Sequence, residues 1–474
     1  MKKTPINLAV AVLCLVQFVD VLGVTEVLTV APRMLRAVSG TNGAASALLT
    51  AYAMCFGGLL MLGARLGDRF GHRRTLLCGI GLFAAGSLSV AIAGSVAVLV
   101  AGRCLQGAAA AVSVPASLRL LIAASPRPAE RRAAMAAWSA AGAPAGASGF
   151  VVGGVLAQLT GWRLMFAINL PLSMAIGTGV LCSVAPDRPA AGPGLALLTG
   201  LLFTGGVAGV VLGAASLEPP GHPRVGLAAL TAGVLLAALA AARDRRAATP
   251  LIPAPALRLR RLRVGAGAAF LNTATTSSLT AIATLQLQRV QHLSPAAAGL
   301  RFLPLSLAAM AGAALAAATL RRLSRERTIA LGLSLIGMAG AGLIAVHGSG
   351  WWISVPVAAA GLGLGLSSVA ANALGTDVAQ SHQAVATGAL NTCAQLGTAL
   401  GVAALLLLSG ATAHAALPLH GPTLGWAAAA GMALAGATAI AIAATGGRRV
   451  PRAATGGRRA RSGAARRAVP TPRA

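Results

Sequence analysis

Apolar residues along the chain come in long blocks, broken wherever Arg, Pro or Asp cluster. A helix needs about 20 consecutive apolar residues to cross the hydrocarbon core of a bilayer. On that criterion the pattern predicts fourteen spans, over residues 8–30, 44–62, 75–94, 96–123, 133–157, 164–184, 194–214, 225–242, 264–286, 296–318, 328–346, 352–372, 385–410 and 423–444. The first block is too long for the apolar part of a cleaved leader, and no small-residue cleavage site precedes the next block, so it reads as a span. An even number of spans puts both termini on one side of the membrane.

Composition agrees with the pattern. Of 474 residues, 56% are hydrophobic and only 10% charged, with a mean hydropathy of +0.78. A soluble domain carries roughly a quarter charged residues, and a disordered polyelectrolyte is poor in apolar ones. Both classes are excluded, which leaves an all-α integral membrane protein.

Charge then sets direction. The chain holds 38 Lys and Arg against nine Asp and Glu, a formal net charge of +29. With the N-terminus in the cytoplasm, about thirty basic residues fall in inner segments. Only Arg33, Arg36, Arg163, Arg224, Arg289 and Arg301 fall outside, and Arg103 and Arg119 within spans. This bias is the positive-inside rule. It predicts both termini in the cytoplasm of a cell (inner) membrane protein, and it explains the charge with no nucleic-acid partner. Trp162, Trp351, Trp352 and Trp426 fall at outer span ends, as an interfacial belt would place them. The six cysteines sit in apolar stretches without a CxxC, so neither a disulfide framework nor a metal site is expected.

The Pro- and Arg-rich segment 243–263 reads as a basic cytoplasmic linker on the membrane surface. Residues 445–474 contain Arg and no acid, and AATGGRR occurs twice, at 443–449 and 453–459. Contact with anionic lipid or RNA is the sharper reading of this tail, and a disordered topogenic segment the plainer one. Anionic lipid at the Arg-rich loops and tail is the expected partner.

Between spans 2 and 3 the chain reads Gly63-Ala-Arg-Leu-Gly67-Asp68-Arg69-Phe-Gly71-His-Arg73-Arg74. Gly67 and Gly71 permit a tight turn. Asp68, placed at the start of the next helix, would meet its positive end and an Arg of the loop. Such an ion pair could break and re-form as two bundles rock; the alternative is a loop whose glycines simply turn the chain. The string resembles the signature of the major facilitator superfamily. Arg103-x-x-Gln106-Gly107 in span 4 and Gly161-Trp-Arg-Leu-Met-Phe-Ala-Ile-Asn169-Leu-Pro171 are similar to two further motifs of that family. Leu287 to Pro304, and Ala386-Thr-Gly388-Ala-Leu-Asn391-Thr392-Cys-Ala-Gln395-Leu-Gly397 in span 13, resemble its fourteen-span drug:proton antiporter branch.

The resemblance implies the major facilitator fold: 14 transmembrane helices, with six-helix bundles over 1–184 and 264–444 and two extra helices over 185–242. It implies a monomer that exchanges a small molecule for protons by alternating access. No cofactor is expected: the chain lacks a Walker-type GxxxxGK[ST], so the proton gradient is the expected energy source.

Two departures qualify the match. Gly23 stands where the branch usually has an acid in span 1, and Asp20 lies three residues earlier. In span 5 the antiporter pattern GPxxGG appears as Gly149-Phe150-Val-Val-Gly153-Gly154, without its proline. Gly142, Gly146, Gly149 and Gly153 still offer a close helix–helix face. The missing proline weakens the inference of export and keeps a proton-coupled importer or metabolite carrier of the same fold as the second reading. A non-transporting receptor is a third. The seven His lie in or near loops, away from the buried acids, which argues against a membrane-embedded enzyme.

An ionisable group at the bilayer centre costs on the order of 2.5–3.5 kcal/mol and is a functional candidate by default. Asp20 and Arg103 lie at similar depths in spans 1 and 4, which both face the central cavity in the family. A pair between them, with Gln106 one turn away, is the expected coupling device; a static structural pair is the rival reading. Glu26 is a second candidate proton carrier, about 120° around the helix from Asp20. Asn272, Thr276, Thr280 and Thr284 form an i+4 stripe in span 9, and Asn391 and Gln395 a pair in span 13. Such residues either line a cavity or hydrogen-bond between helices; span 9 is the family counterpart of span 1, which favours the cavity. With aromatic residues at 3%, an aliphatic cavity with few polar handles suits an amphipathic organic substrate.

Overall fold

The computed structural model describes residues 8–40, 43–187, 189, 194–218, 222–251, 254–346, 350–411 and 421–446. Lys2, Lys3, Arg188 and the tail from 447 onward, on which part of the topology and lipid reading rests, lie outside them.

Among the described residues every regular element is helical. The first half runs α1 (Leu8–Ala37), α2 (Gly43–Phe70), α3 (His72–Ala91), α4 (Val96–Ala123), α5 (Pro128–Leu159), α6 (Trp162–Ala167) and α7 (Asn169–Ser183). Next come α8 (Leu197–Leu217), α9 (Pro223–Arg246) and the short α10 (Ala254–Arg258). The second half runs α11 (Arg260–Leu285), a π-helical turn over Gln286–Val290, α12 (Pro295–Arg322), α13 (Arg325–Ala345), α14 (Ser354–Gly375), α15 (Gln380–Ala411) and α16 (Pro422–Gly446).

Each predicted apolar block falls on one of these helices, with α6 and α7 together forming the sixth. Twelve candidate spans among the described residues are long and apolar enough to cross a membrane. The predicted spans 133–157 and 264–286, on α5 and α11, are not among the twelve. In α11 the cause is visible: Asn, Ser and Thr fill its centre.

Local chemistry sets the helix starts. Ser95, Ser294 and Ser324 accept hydrogen bonds from the first-turn N–H groups of α4, α12 and α13, and Pro128, Pro223 and Pro295 occupy first-turn positions, where a missing N–H costs nothing.

The N-terminal helices pack mainly as α1 on α5, α2 on α4 and α3 on α4; the C-terminal ones as α12 on α14, α13 on α14 and α16, and α11 on α15. The halves meet through α2 with α15 and α5 with α12. The α8–α9 pair sits on one of these seams, with α8 against both α2 and α15. Its helices approach closely at glycines: a side chain on Gly209 would come within 2.7 Å of the Gly233 Cα. The outer face of α9 is apolar and exposed at Val225, Val234, Leu235 and Leu239, as lipid contact requires.

Trp351 and Trp352 are exposed at a helix end, as an interfacial belt would have them. Trp426 and Trp162 are not. Trp426 is fully buried in the second core, its indole N–H donating to the Leu279 carbonyl at 3.4 Å. Trp162 is buried against Phe166. For these two the aromatic ring serves the bundle core.

Candidate functional site

Asp20, Glu26, Arg103 and Gln106 are all buried in the first half. Between Asp20 and Arg103 stands Tyr52 of α2, the chain's sole tyrosine. Its hydroxyl donates to Asp20 Oδ1, and its ring carries the Arg103 guanidinium 4.7 Å above the centroid. Arg103 Nη1 in turn donates to Gln106 Oε1 at 2.9 Å, and Gln106 Nε2 to Ser87 Oγ at 2.7 Å. Asp20, Tyr52, Arg103, Gln106 and Ser87 thus form one polar chain across α1, α2, α4 and α3.

The expected direct pair between Asp20 and Arg103 is corrected by this arrangement, since no ion pair forms between them within 4 Å. An aromatic face attracts a cation and a phenol donates to a carboxylate, so Tyr52 partners both charges while holding them apart. Asp20 also lines a small cavity of about 30 Å³ inside the first half, with Phe83, Ser113 and Ser173.

Glu26 lies beside Asn169 of α7 and within electrostatic reach of the same Arg103. One guanidinium therefore serves two carboxylates placed about a third of a turn apart. Glu26 Oε1 and Arg103 Nε are buried without hydrogen-bond partners.

The span 5 glycines make room for Glu26. A side chain on Gly153 would come within 3.2 Å of Glu26 Cα and Cβ, and one on Gly149 would strike Thr25. Gly154 faces the other way, where a side chain would lie 2.6 Å from the Pro295 carbonyl of α12. Gly146 belongs to α5, but its surroundings lie outside the described residues. Phe150, which replaces the motif proline, stacks on Phe302 of α12 with centroids 5.5 Å apart.

At the loop between α2 and α3, Gly71 alone makes the turn, at φ +91°. A side chain on Gly67 would collide with the His72 ring. Asp68 is not at the start of α3, as expected from sequence, but in the last turn of α2, with Oδ1 3.4 Å from His72 Nε2. The single-residue turn leaves no room for it beyond Gly71. The acid that meets the positive end of α3 is Asp187, just past α7. It accepts from His72 N at 2.5 Å and Arg73 N at 2.9 Å. Partial burial works against its charge, but these N–H donors outweigh it and hold Asp187 below the usual carboxylate range. Arg73 Nη2 also donates to the Leu181 carbonyl at 2.8 Å. Arg65, near the end of α2, ties that helix to the segment before α8 through the Gly194 carbonyl and to the linker through the carbonyls of Thr249 and Pro250. Arg69 lies by the Phe70 ring at 6.0 Å and Arg74 is exposed. At the same end, Asp377 after α14 binds Arg325 and Arg261. The Arg325 hydrogen bond and then the two positive charges hold its carboxyl low.

In the second half the polar stripe divides its hydrogen bonds between neighbouring helices and its own. Asn272 Nδ2 donates to the Leu364 carbonyl and Ser368 Oγ of α14, both at 3.3 Å. Thr273 donates to the Ala394 carbonyl at 2.5 Å, and Ser277 lies 3.2 Å from Thr398 Oγ1 of α15. Thr280 and Thr284 donate back to their own helix. Thr276 Oγ1 and Asn272 Oδ1 are buried and unpartnered. Asn391 is exposed, and Gln395 sits where α15 crosses Gly57 of α2.

The sequence profile of the Major Facilitator Superfamily matches residues 13–402. The chain belongs to the major facilitator superfamily. Members similar to it include a lincomycin resistance protein of Streptomyces lincolnensis, 37% identical over 61% of this chain and 60% of that protein. The puromycin resistance protein of Streptomyces alboniger is 32% identical over 85% and 82% of the two chains. A cephamycin export protein of Amycolatopsis lactamdurans is 32% identical over 86% of each. The chain spans about three-fifths of the lincomycin relative and over four-fifths of the other two. Among solved structures, a peptide transporter crystallised with sulfate superposes with a TM-score of 0.68 at 17% identity, covering 93% of this chain and 94% of that one. At that identity the likeness bears on the fold alone, and it is the superfamily's all-helical, multi-pass membrane fold.

Tyr52, Ser87 and Asp187 of this major facilitator site escaped the sequence reading. Tyr52 had one signal, its uniqueness in the chain. Asp187 had only its place, an acid directly after Pro186 in a chain of nine acids.

Proposed function

We propose that the chain exports hydrophobic or amphipathic small molecules of the antibiotic class in exchange for protons, as a monomer in the cell (inner) membrane with both termini in the cytoplasm. The observation that carries this reading is the pair of buried acids, Asp20 and Glu26, around the single guanidinium of Arg103. One positive charge balances one carboxylate; a second buried negative charge needs a proton or a cationic ligand. A site of this kind exchanges a proton against substrate as its access alternates. Relatives named for resistance to lincomycin and puromycin and for cephamycin export support the direction and substrate class.

The importer remains the second reading because Phe150, in place of the motif proline, is spent on a contact with α12. Everted vesicles with an imposed proton gradient separate the two. With a panel of lipophilic cationic and neutral compounds, the exporter dissipates the gradient in a substrate-dependent way and Asp20→Asn does not. Dissipation that survives in Asp20→Asn moves the coupling to Glu26. No response from folded protein to any compound overturns export.

A further inference from the structure

Glu218 is the residue after α8, at the end of the molecule opposite Gly71. It is the one buried ionisable group that the α8–α9 pair contributes among the described residues. Its surroundings come from three parts of the chain. The start of α2 brings the Ser46 hydroxyl, and the π-helical turn after α11 brings the Arg289 charge. The end of α15 brings Gly410, where a side chain would lie 3.9 Å from Glu218 Cγ. Glu218 Oε1 is buried without a hydrogen-bond partner. Arg289 also lines a cavity of about 310 Å³ with Arg36, Gln288 and His292.

This junction cannot stay intact through a transport cycle. Opening this end parts α2 from α15 and the π-turn, and Glu218 lies against both sides, within the electrostatic reach of Arg289. We propose that Glu218 is a proton-binding site through which the extra helix pair gates this end. While ionised, Glu218 is attracted to Arg289 and the end is held shut. Taking a proton from the water on that side gives a neutral carboxyl, the attraction is lost, and the halves part. Re-exposure to water returns the proton, so the gate itself moves no net charge across the membrane.

The titration falls in a usable range. Burial pushes the Glu218 carboxyl up to about 8, against the Ser46 hydroxyl and Arg289, which act to lower it. Release therefore belongs to the pH range below about 8 and closure to the range above it. Of the elements packed here, α2 presents Ser46, α15 presents the uncharged Gly410, and the π-turn presents Arg289. Arg36 of α1 acts on Arg289 as a like charge, and His292 shares the cavity.

This inference does not depend on the direction of transport or on the substrate, so its test uses neither. Spin labels replace the exposed Ser39 and Val290 in a chain whose six cysteines are exchanged for serine or alanine. Their distance distribution is measured in vesicles from pH 6 to 9 with no substrate. A longer-distance population that disappears with a midpoint near pH 8 is expected. Glu218→Gln should fix the low-pH distribution at every pH, Glu218→Asp should keep a titration with a shifted midpoint, and His292→Gln should leave the midpoint in place. A wild-type titration in Glu218→Gln overturns the proposal. So does a distribution unchanged from pH 6 to 9, or a titration abolished by His292→Gln.

Discussion

Tyr52 offers two different surfaces to two opposite charges, and phenylalanine would keep one of them. Tyr52→Phe retains the ring under Arg103 and leaves Asp20 without its donor. A buried hydrogen bond to a charged group contributes about 1.5–3 kcal/mol. Tyr52→Phe should therefore lower the thermal unfolding midpoint in detergent. In a double-mutant cycle it should lose most of that effect in the Asp20→Asn background; strict additivity would show that the bond contributes nothing. Asp187 makes a pH-dependent prediction. Its folded pKa lies below the unfolded value of about 3.9, so its stabilisation is present above that pH and lost as pH falls through the folded value. Asp187→Asn should cost about 0.5–1 kcal/mol at pH 7, as a half-exposed helix-end charge does. Melting curves of the two proteins should converge on acidification, and a constant difference down to pH 3 would refute the assignment.

At the scale of elements, glycines decide where helices touch. On Gly233 a side chain would lie 2.7 Å from the Gly206 carbonyl, while on Gly431 it would meet nothing within 4 Å. Gly233→Leu should destabilise by about 1–3 kcal/mol through overpacking and Gly431→Leu should not, as read by monodispersity and melting after extraction. Nearly all of the helices were legible in the sequence, because a membrane-crossing helix declares itself by apolar length. The interruptions were not: the split at Ile168 and the π-helical turn at Gln286–Val290 leave no mark in hydropathy. In the site, Asp20, Glu26 and Arg103 stood out because charge is costly in a span. Tyr52 follows no pattern, and Asp187 meets its partners 114 and 115 residues away in sequence, which no local rule finds.

For the molecule as a whole, the transport cycle requires one set of contacts to break and another to hold. Phe150 on Phe302 joins the two halves, whereas Ser277 beside Thr398 lies within one. A disulfide between cysteines at 150 and 302 should abolish substrate-dependent dissipation of the proton gradient, reversibly on reduction. One between cysteines at 277 and 398 should leave most of it. Equal effects would mean that the halves do not move as units.

The place of α8 has a consequence for how a lipid-soluble compound reaches the centre. A two-bundle transporter has two lateral seams, like the two long edges of a clamshell. Here α8 is splinted along one of them, touching α2 and α15 together, and α9 covers it from the bilayer. Among the described residues no further helix covers the seam between α5 and α12. The molecule therefore has a spine and a fore-edge, and under the export reading the fore-edge, past Phe150, is the side open to a compound dissolved in the membrane leaflet.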